Sequence, residues 1–221
     1  MNDRCEDGIK IELVAFKALS GGAEIAVTAV IGNLVESEEK RLVLLARQFS
    51  ELGLKKGEIS RERFEELELA AEISLAVKRG MNILGYGSSS EKNLSLKLRG
   101  KGFSKEVSEA AAEYLLESGF IDEGSDAARE AERCLRKQWG RKRIYATLRQ
   151  KGYSDEAISS AMAMLDEVDF ATVCLEVIMK RYADKLGSPE ELQKTFGALS
   201  RLGFSTTEIK TAIKQAVNRN A

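Results

Sequence analysis

Three segments of the chain align on a glycine: Leu98-Arg99-Gly100-Lys101-Gly102-Phe103-Ser104, Leu148-Arg149-Gln150-Lys151-Gly152-Tyr153-Ser154 and Leu199-Ser200-Arg201-Leu202-Gly203-Phe204-Ser205. The glycines, at 102, 152 and 203, are 50 and 51 residues apart, and self-similarity at a fixed period of this length marks a repeat architecture. Each segment has one mechanical reading. The leucine four residues before the glycine packs the end of a helix, and the glycine takes the left-handed conformation that ends it. A basic residue in that last turn complements the helix dipole. The serine two residues past the glycine is placed to cap the next helix, with Asp155 and Glu156 in the first turn after Ser154 and Glu208 in capping-box position after Ser205. The aromatic between glycine and serine packs down as a staple.

Apolar residues at helical spacing flank each segment. Val107, Ala110, Ala111, Tyr114 and Leu115 form one stripe downstream, Ile158, Ala161, Met162 and Leu165 a second, and Ile209, Ala212, Ile213, Ala216 and Val217 a third. Upstream lie Ala70, Ile73, Val77, Met81 and Leu84, then Ala128, Ala131, Leu135 and Trp139, then Ala171, Cys174, Leu175, Ile178 and Tyr182. Each repeat therefore reads as three helices, too long for the ~34-residue tetratricopeptide unit and slightly long for armadillo or HEAT units. Such units share their cores with neighbours, which predicts an elongated array.

Before about residue 60 the pattern changes. Ile9, Ile11 and Leu13 alternate with Lys10 and Glu12, and Ile25, Val27 and Ala29 with Ala26 and Thr28, around a Ser20-Gly21-Gly22 turn. A hairpin is marginal alone, so it is expected to pair with a third strand or lie on the helix that follows. That helix is predicted from about Ser37 to Leu52, with Leu42, Leu45, Phe49 and Leu52 on one face and Gly53 past its end. The fold expected is mainly α: three tandem three-helix repeats over 61–120, 121–168 and 169–221, behind a small α+β segment over 1–60.

Composition narrows the function. The 34 Lys+Arg balance 35 Asp+Glu, and no apolar run approaches the ~20 residues that span a bilayer, the longest being Ile25 to Val35. The acidic start Asn2-Asp3-Arg4-Cys5-Glu6-Asp7 does not suit a signal peptide, so a cytoplasmic protein without a membrane partner is expected. Cys5, Cys134 and Cys174 are odd in number and far apart, which fits reduced thiols rather than a disulfide framework or a zinc site. With no histidine, Ser-His and Cys-His nucleophiles and imidazole metal ligands are excluded. No carboxylate pair falls in a catalytic context, and no catalytic residue, cofactor or metal is expected.

The run Gly140-Arg141-Lys142-Arg143-Ile144-Tyr145-Ala146-Thr147-Leu148-Arg149-Gln150-Lys151-Gly152-Tyr153-Ser154 resembles the middle repeat of the bacterial RecX regulators. Leu52-Gly53-Leu54-Lys55-Lys56-Gly57-Glu58 and Gly119-Phe120-Ile121-Asp122-Glu123 match in the flanks, so the resemblance covers roughly residues 50 to 217. It implies three tandem three-helix repeats and a modulator, usually an inhibitor, of the RecA recombinase in homologous recombination, DNA repair and the SOS response. The implied partner is the RecA filament on single-stranded DNA, with the DNA touched directly or through RecA. A monomer is expected.

The candidate binding residues are Arg133, Arg136, Lys137, Arg141, Lys142, Arg143, Arg149 and Lys151, between which no acid occurs. Clustered guanidinium groups suit a phosphate backbone or an acidic protein groove, and Trp139 among them suits stacking. The plainer alternative is a solvated basic face with Trp139 as core filler, and for Trp139 core packing is preferred. Residues 36–72 hold ten glutamates against seven bases, read as a solvated face or as a mimic of DNA charge. Gly85-Tyr86-Gly87-Ser88-Ser89-Ser90 reads as a helix-to-helix loop capped by Ser90, with an anion nest as the alternative and no P-loop pattern. Direct DNA binding through helix-turn-helix units is second to the filament reading, because acids open the candidate recognition helices. A scaffold for another partner is third.

Overall fold

The computed structural model describes residues 9–33 and 36–220; Cys5, the acids Asp3, Glu6 and Asp7 around it, and Val35 lie outside the described residues. The chain divides into two compact units, one made of the chain up to Tyr86 with Leu94–Ser118, the other of Gly87–Asn93 with the chain from Gly119 on.

The first unit opens with β1 (Lys10–Leu19) and β2 (Glu24–Gly32), joined through Ser20, Gly21 and Gly22, all at positive φ. Strand β3 (Ser37–Leu45) pairs with β2, and the short β4 (Gly57–Ile59) with β1, giving an antiparallel sheet in the order β3-β2-β1-β4. The helix expected over Ser37–Leu52 is thus corrected: its first nine residues are β3, and only α1 (Ala46–Leu52) is helical. The apolar run Leu42–Leu45 satisfies either period, and the exposed hydrogen-bonding edge of β2 decides between them. In the strand, Leu42 sits opposite Val27 and Leu44 opposite Ile25. Gly53 ends α1 at φ 57, as its position predicts.

The sheet does not close its core alone. Helix α2 (Arg61–Gly85) lays Phe64, Leu67 and Ala70 against Leu13, Val27 and Leu44. Its far half meets α4 (Lys105–Glu117), where a Cβ on Gly80 would lie 2.6 Å from Leu115 Cδ1. That closeness sets the buried face. Val77 and Gly80 are inside, whereas Met81, expected in the stripe, is 44% exposed.

Helix α3 (Glu91–Arg99) begins in the second unit, followed there by α5 (Glu123–Arg136), α6 (Arg141–Gln150), α7 (Asp155–Ala163), α8 (Phe170–Arg181), α9 (Pro189–Arg201) and α10 (Thr206–Asn220). The helices fall into triples in which the first packs on the third: α2 on α4, α5 on α7 and α8 on α10. On α5 the core face is turned from the predicted stripe, with Ala127, Ala131 and Cys134 inside and Leu135 and Trp139 at the margin. Asp126 and Glu130 are buried on that same face, a polar component that apolar periodicity does not register.

The three glycine segments adopt one geometry. The N–H of Phe103 bonds to Leu98 O (3.4 Å), that of Tyr153 to Leu148 O (3.4 Å) and that of Phe204 to Leu199 O (3.3 Å), while each glycine N–H bonds to the carbonyl three residues back. This is the Schellman pairing, with its leucine fully buried in all three turns. Ser104, Ser154 and Ser205 then accept hydrogen bonds from the N–H groups of Val107, Ala157 and Glu208, and the Glu208 carboxylate accepts one from Ser205 N–H.

Candidate functional site

The eight candidate cations follow one stretch of chain, from the last turn of α5 through the α5–α6 turn and along α6. Another Schellman turn ends α5, but here its left-handed position is Gln138, at φ 56. Gln138 N–H bonds to Leu135 O (2.7 Å) and Trp139 N–H to Cys134 O (3.3 Å). A non-glycine residue in that region costs about 1 kcal/mol. The turn sets Trp139 between two cations, with the Arg143 guanidinium carbon 4.0 Å and Lys137 Nζ 5.0 Å from the ring centroid. The indole also packs against the core, so its covered ring is filler and cation platform rather than an open stacking surface.

The eight are not equivalent. Arg133 and Lys151 both pair with the buried carboxylate of Glu130, Lys151 at 3.0 Å. Burial, and then the neighbouring Arg133, push the Lys151 ammonium down from its ordinary value. Arg141 reaches Met162 O (3.2 Å), Leu165 O (3.4 Å) and the Asp166 carboxylate, so it closes the C-terminal end of α7. Arg149 pairs with Asp155, and Arg136 sits 3.8 Å from Glu132. Lys137 and Lys142 are exposed and have no carboxylate partner among the described residues.

Helix α6 has a second peculiarity. Its first turn is Arg141-Lys142-Arg143 behind a glycine N-cap, without an acid. From α2 on, each other helix among the described residues has an acid in its first turn or an aspartate N-cap. Cations at the positive end of a helix are unfavourable by roughly 0.3–1 kcal/mol each.

Beside this turn lies an open groove of about 790 Å³ between α6, α7 and the α9–α10 turn. Ile158, Met162 and Ala163 form its apolar side with Tyr145, which is 47% exposed. Arg141, Lys142 and Arg149 stand on one rim, and Asp155, Asp166 and Glu208 are also at its edges. Sequence periodicity does not reveal this groove, because its walls come from helices of successive triples.

The same successive triples are locked by backbone contacts. Gly140 N–H donates to Leu202 O (2.8 Å) and Lys142 N–H to Gly203 O (3.1 Å). At the equivalent junction Ser90 Oγ donates to Lys151 O (2.6 Å) while capping Asn93 N–H. One carboxylate of Glu123 accepts from both Glu91 N–H and Ser154 N–H, each at 2.9 Å, tying together the starts of α3, α5 and α7.

The other sequence candidates resolve more simply. The loop before α3 buries Ser89 and Ser90, and Ser90 is the N-cap expected of it. In the glutamate-rich stretch Glu51, Glu58, Glu65, Glu66 and Glu68 all pair with bases, as on a laced, solvated face. Cys134 and Cys174 are free and buried. Among the described residues no helix is long and apolar enough to cross a membrane, and no group of His, Cys, Asp or Glu could hold a metal.

No family model matches the chain. It is 32% identical over 147 residues to the regulatory protein RecX of Pelodictyon phaeoclathratiforme, covering 64% of this chain and 89% of the relative. It is 28% identical over 169 residues to that of Caldanaerobacter subterraneus subsp. tengcongensis, covering 76% and 84%. A crystal structure of a regulatory protein RecX superposes with a TM-score of 0.70 at 19% identity, over 93% of this chain and 99% of the other, so the fold is shared. With repeated glycine turns, helical triples and 32% identity over 89% of the Pelodictyon relative, the chain belongs to the RecX family of regulatory proteins.

Proposed function

We propose that this chain is a non-enzymatic cytoplasmic regulator that binds the RecA filament on single-stranded DNA and restrains ATP hydrolysis, strand exchange and filament growth. Its repeats over 61–120, 121–168 and 169–221 are the binding array, with the middle repeat turned toward DNA phosphate or an acidic RecA surface and 1–60 as a leading domain. The supporting observation is the first turn of α6. Three cations at the positive end of a helix dipole, with Lys142 unpaired among the described residues, are a local cost that an anionic partner relieves. Family membership supplies the regulatory role.

The helix-turn-helix alternative draws no support from the helices it needs. Helix α7 opens on Asp155 and Glu156, and α10 carries Glu208 in its first turn, where phosphate contacts would be required. The test is RecA ATP hydrolysis on single-stranded DNA with this protein titrated in, beside Lys137→Glu and Lys142→Glu variants. Wild type is expected to inhibit below one molecule per RecA protomer and the variants to lose inhibition. No effect of wild type at excess refutes the proposal. Tight salt-sensitive duplex binding without RecA favours direct DNA recognition instead.

A further inference from the structure

We propose that the groove between α6, α7 and the α9–α10 turn is a docking slot for a segment of the partner protein that carries a bulky apolar side chain flanked by carboxylates. This rests on the reading that the middle repeat faces the partner, and it adds the chemistry of what that face holds.

One side of the concavity is apolar, formed by Tyr145, Ile158, Met162 and Ala163. Tyr145 is 47% exposed although its neighbours Ile144 and Leu148 are fully buried, so the ring stands over the groove and not in the core. Met162 is half-buried beside it, and Ile158 closes the floor. A groove of about 790 Å³ accommodates a short peptide segment with its side chains, within the range of ordinary ligand pockets.

Charge selects the flanks. Lys142 lacks a carboxylate among the described residues, and the α6 dipole adds to it. Arg149 and Arg141 pair with Asp155 and Asp166, whose side chains are 86% and 64% exposed. Pairs this open contribute little, so an incoming carboxylate can take over the arginine at small cost. A nucleic acid backbone would leave the apolar wall unused. A peptide with an apolar anchor uses both features.

The test uses the full chain, fluorescently labelled, in anisotropy titrations against the RecA filament and against single-stranded oligonucleotide alone. Tyr145→Ser removes the apolar wall and Ala163→Gln fills the groove; both positions are exposed, and matched thermal midpoints confirm folding. Each is expected to weaken filament binding by about tenfold or more, as for an interface anchor, and to leave oligonucleotide binding unchanged. Asp155→Asn and Asp166→Asn are expected to tighten filament binding. Overlapping RecA peptides should compete only when net negative, and replacing their one apolar anchor by alanine should abolish competition.

Filament binding unchanged in both groove variants overturns the slot, as does a parallel loss of oligonucleotide binding, which makes nucleic acid the occupant. If Lys142→Glu weakens the filament complex while both groove variants bind normally, the proposed function stands and the slot fails. If wild type binds no filament, both fall. Should one groove variant misfold, the other decides.

Discussion

The backbone of Gly140 lies against that of Gly203: a Cβ built on Gly140 would collide with Gly203 C and Phe204 N, and one built on Gly203 would collide with Arg143 N and Cβ. The approach is what lets Gly140 N–H reach Leu202 O at 2.8 Å. The helix-ending glycine of one triple thus also seats the helix start of the triple before it. Gly152 has the second role too, since a methyl group there would stand 3.2 Å from Lys92 Cβ and 3.3 Å from Ser90 Oγ.

Alanine at the three equivalent glycines therefore separates the roles. Gly102, at φ +99 with nothing near its Cβ, is constrained by the backbone conformation alone, so Gly102→Ala is expected to cost about 1 kcal/mol. At Gly203 a backbone collision adds to this, so Gly203→Ala is expected to cost about 2–4 kcal/mol, with Gly152→Ala between them. Urea midpoints give the order. Equal losses at Gly102 and Gly203 would mean that the junction contributes nothing.

The Glu123 carboxylate accepts the backbone N–H groups of Glu91 and Ser154 at the starts of two helices. Glu123→Ala is expected to destabilise by about 1–3 kcal/mol. Amide exchange should accelerate at Glu91 and Ser154 ahead of the core of α8, and exchange unchanged at both amides would show the clamp to be idle.

Glu130 is a buried acid holding Arg133 and Lys151. Removing one partner from a buried pair is costly, but both cations are about half exposed and water relieves them. Glu130→Ala is expected to lose about 1–3 kcal/mol, and Glu130→Gln less, by denaturant titration. A neutral Glu130→Ala would place the cations on solvent alone.

Much of the helical array is legible in the chain itself. The spacing of Leu98, Gly102 and Ser104 and of its two counterparts encodes the turn, its leucine plug and its cap, because all three act within seven residues of chain. Leu42–Leu45 escapes such a reading for the opposite reason: whether it is strand or helix is settled by β2, which no local window contains. At the site, the sequence locates the cations but not their partners. Asp166 lies 25 residues from Arg141, so which arginines are committed to the fold is a tertiary fact.

Burial pushes the Cys174 thiol up to about 12, with Glu208 adding to it, and raises Cys134 as well. A thiol whose folded value exceeds its unfolded value favours the fold fully at neutral pH and loses that contribution as pH climbs from about 9 toward 12. Stability should therefore fall across that window, and less steeply in Cys174→Ala after allowance for its lower baseline. In a Cys5→Ser background neither remaining thiol should react with a disulfide reagent at pH 8 until the protein unfolds; prompt reaction would contradict their burial.

Arg141, Lys142 and Arg143 are consecutive yet should fail differently. Arg141 holds two carbonyls at the end of α7, so Arg141→Ala is expected to cost about 1–2 kcal/mol of stability. Lys142→Ala should be neutral within about 0.5 kcal/mol, as for an exposed side chain with no carboxylate partner among the described residues. Arg143→Ala uncovers one face of Trp139, and because Trp139 is the sole tryptophan, its emission should shift to the red with no ambiguity of origin. An unshifted spectrum would mean that the guanidinium does not cover the ring in solution. If all three variants instead lost stability alike, the turn would be structural throughout, and its uncompensated charge would need no partner to explain it.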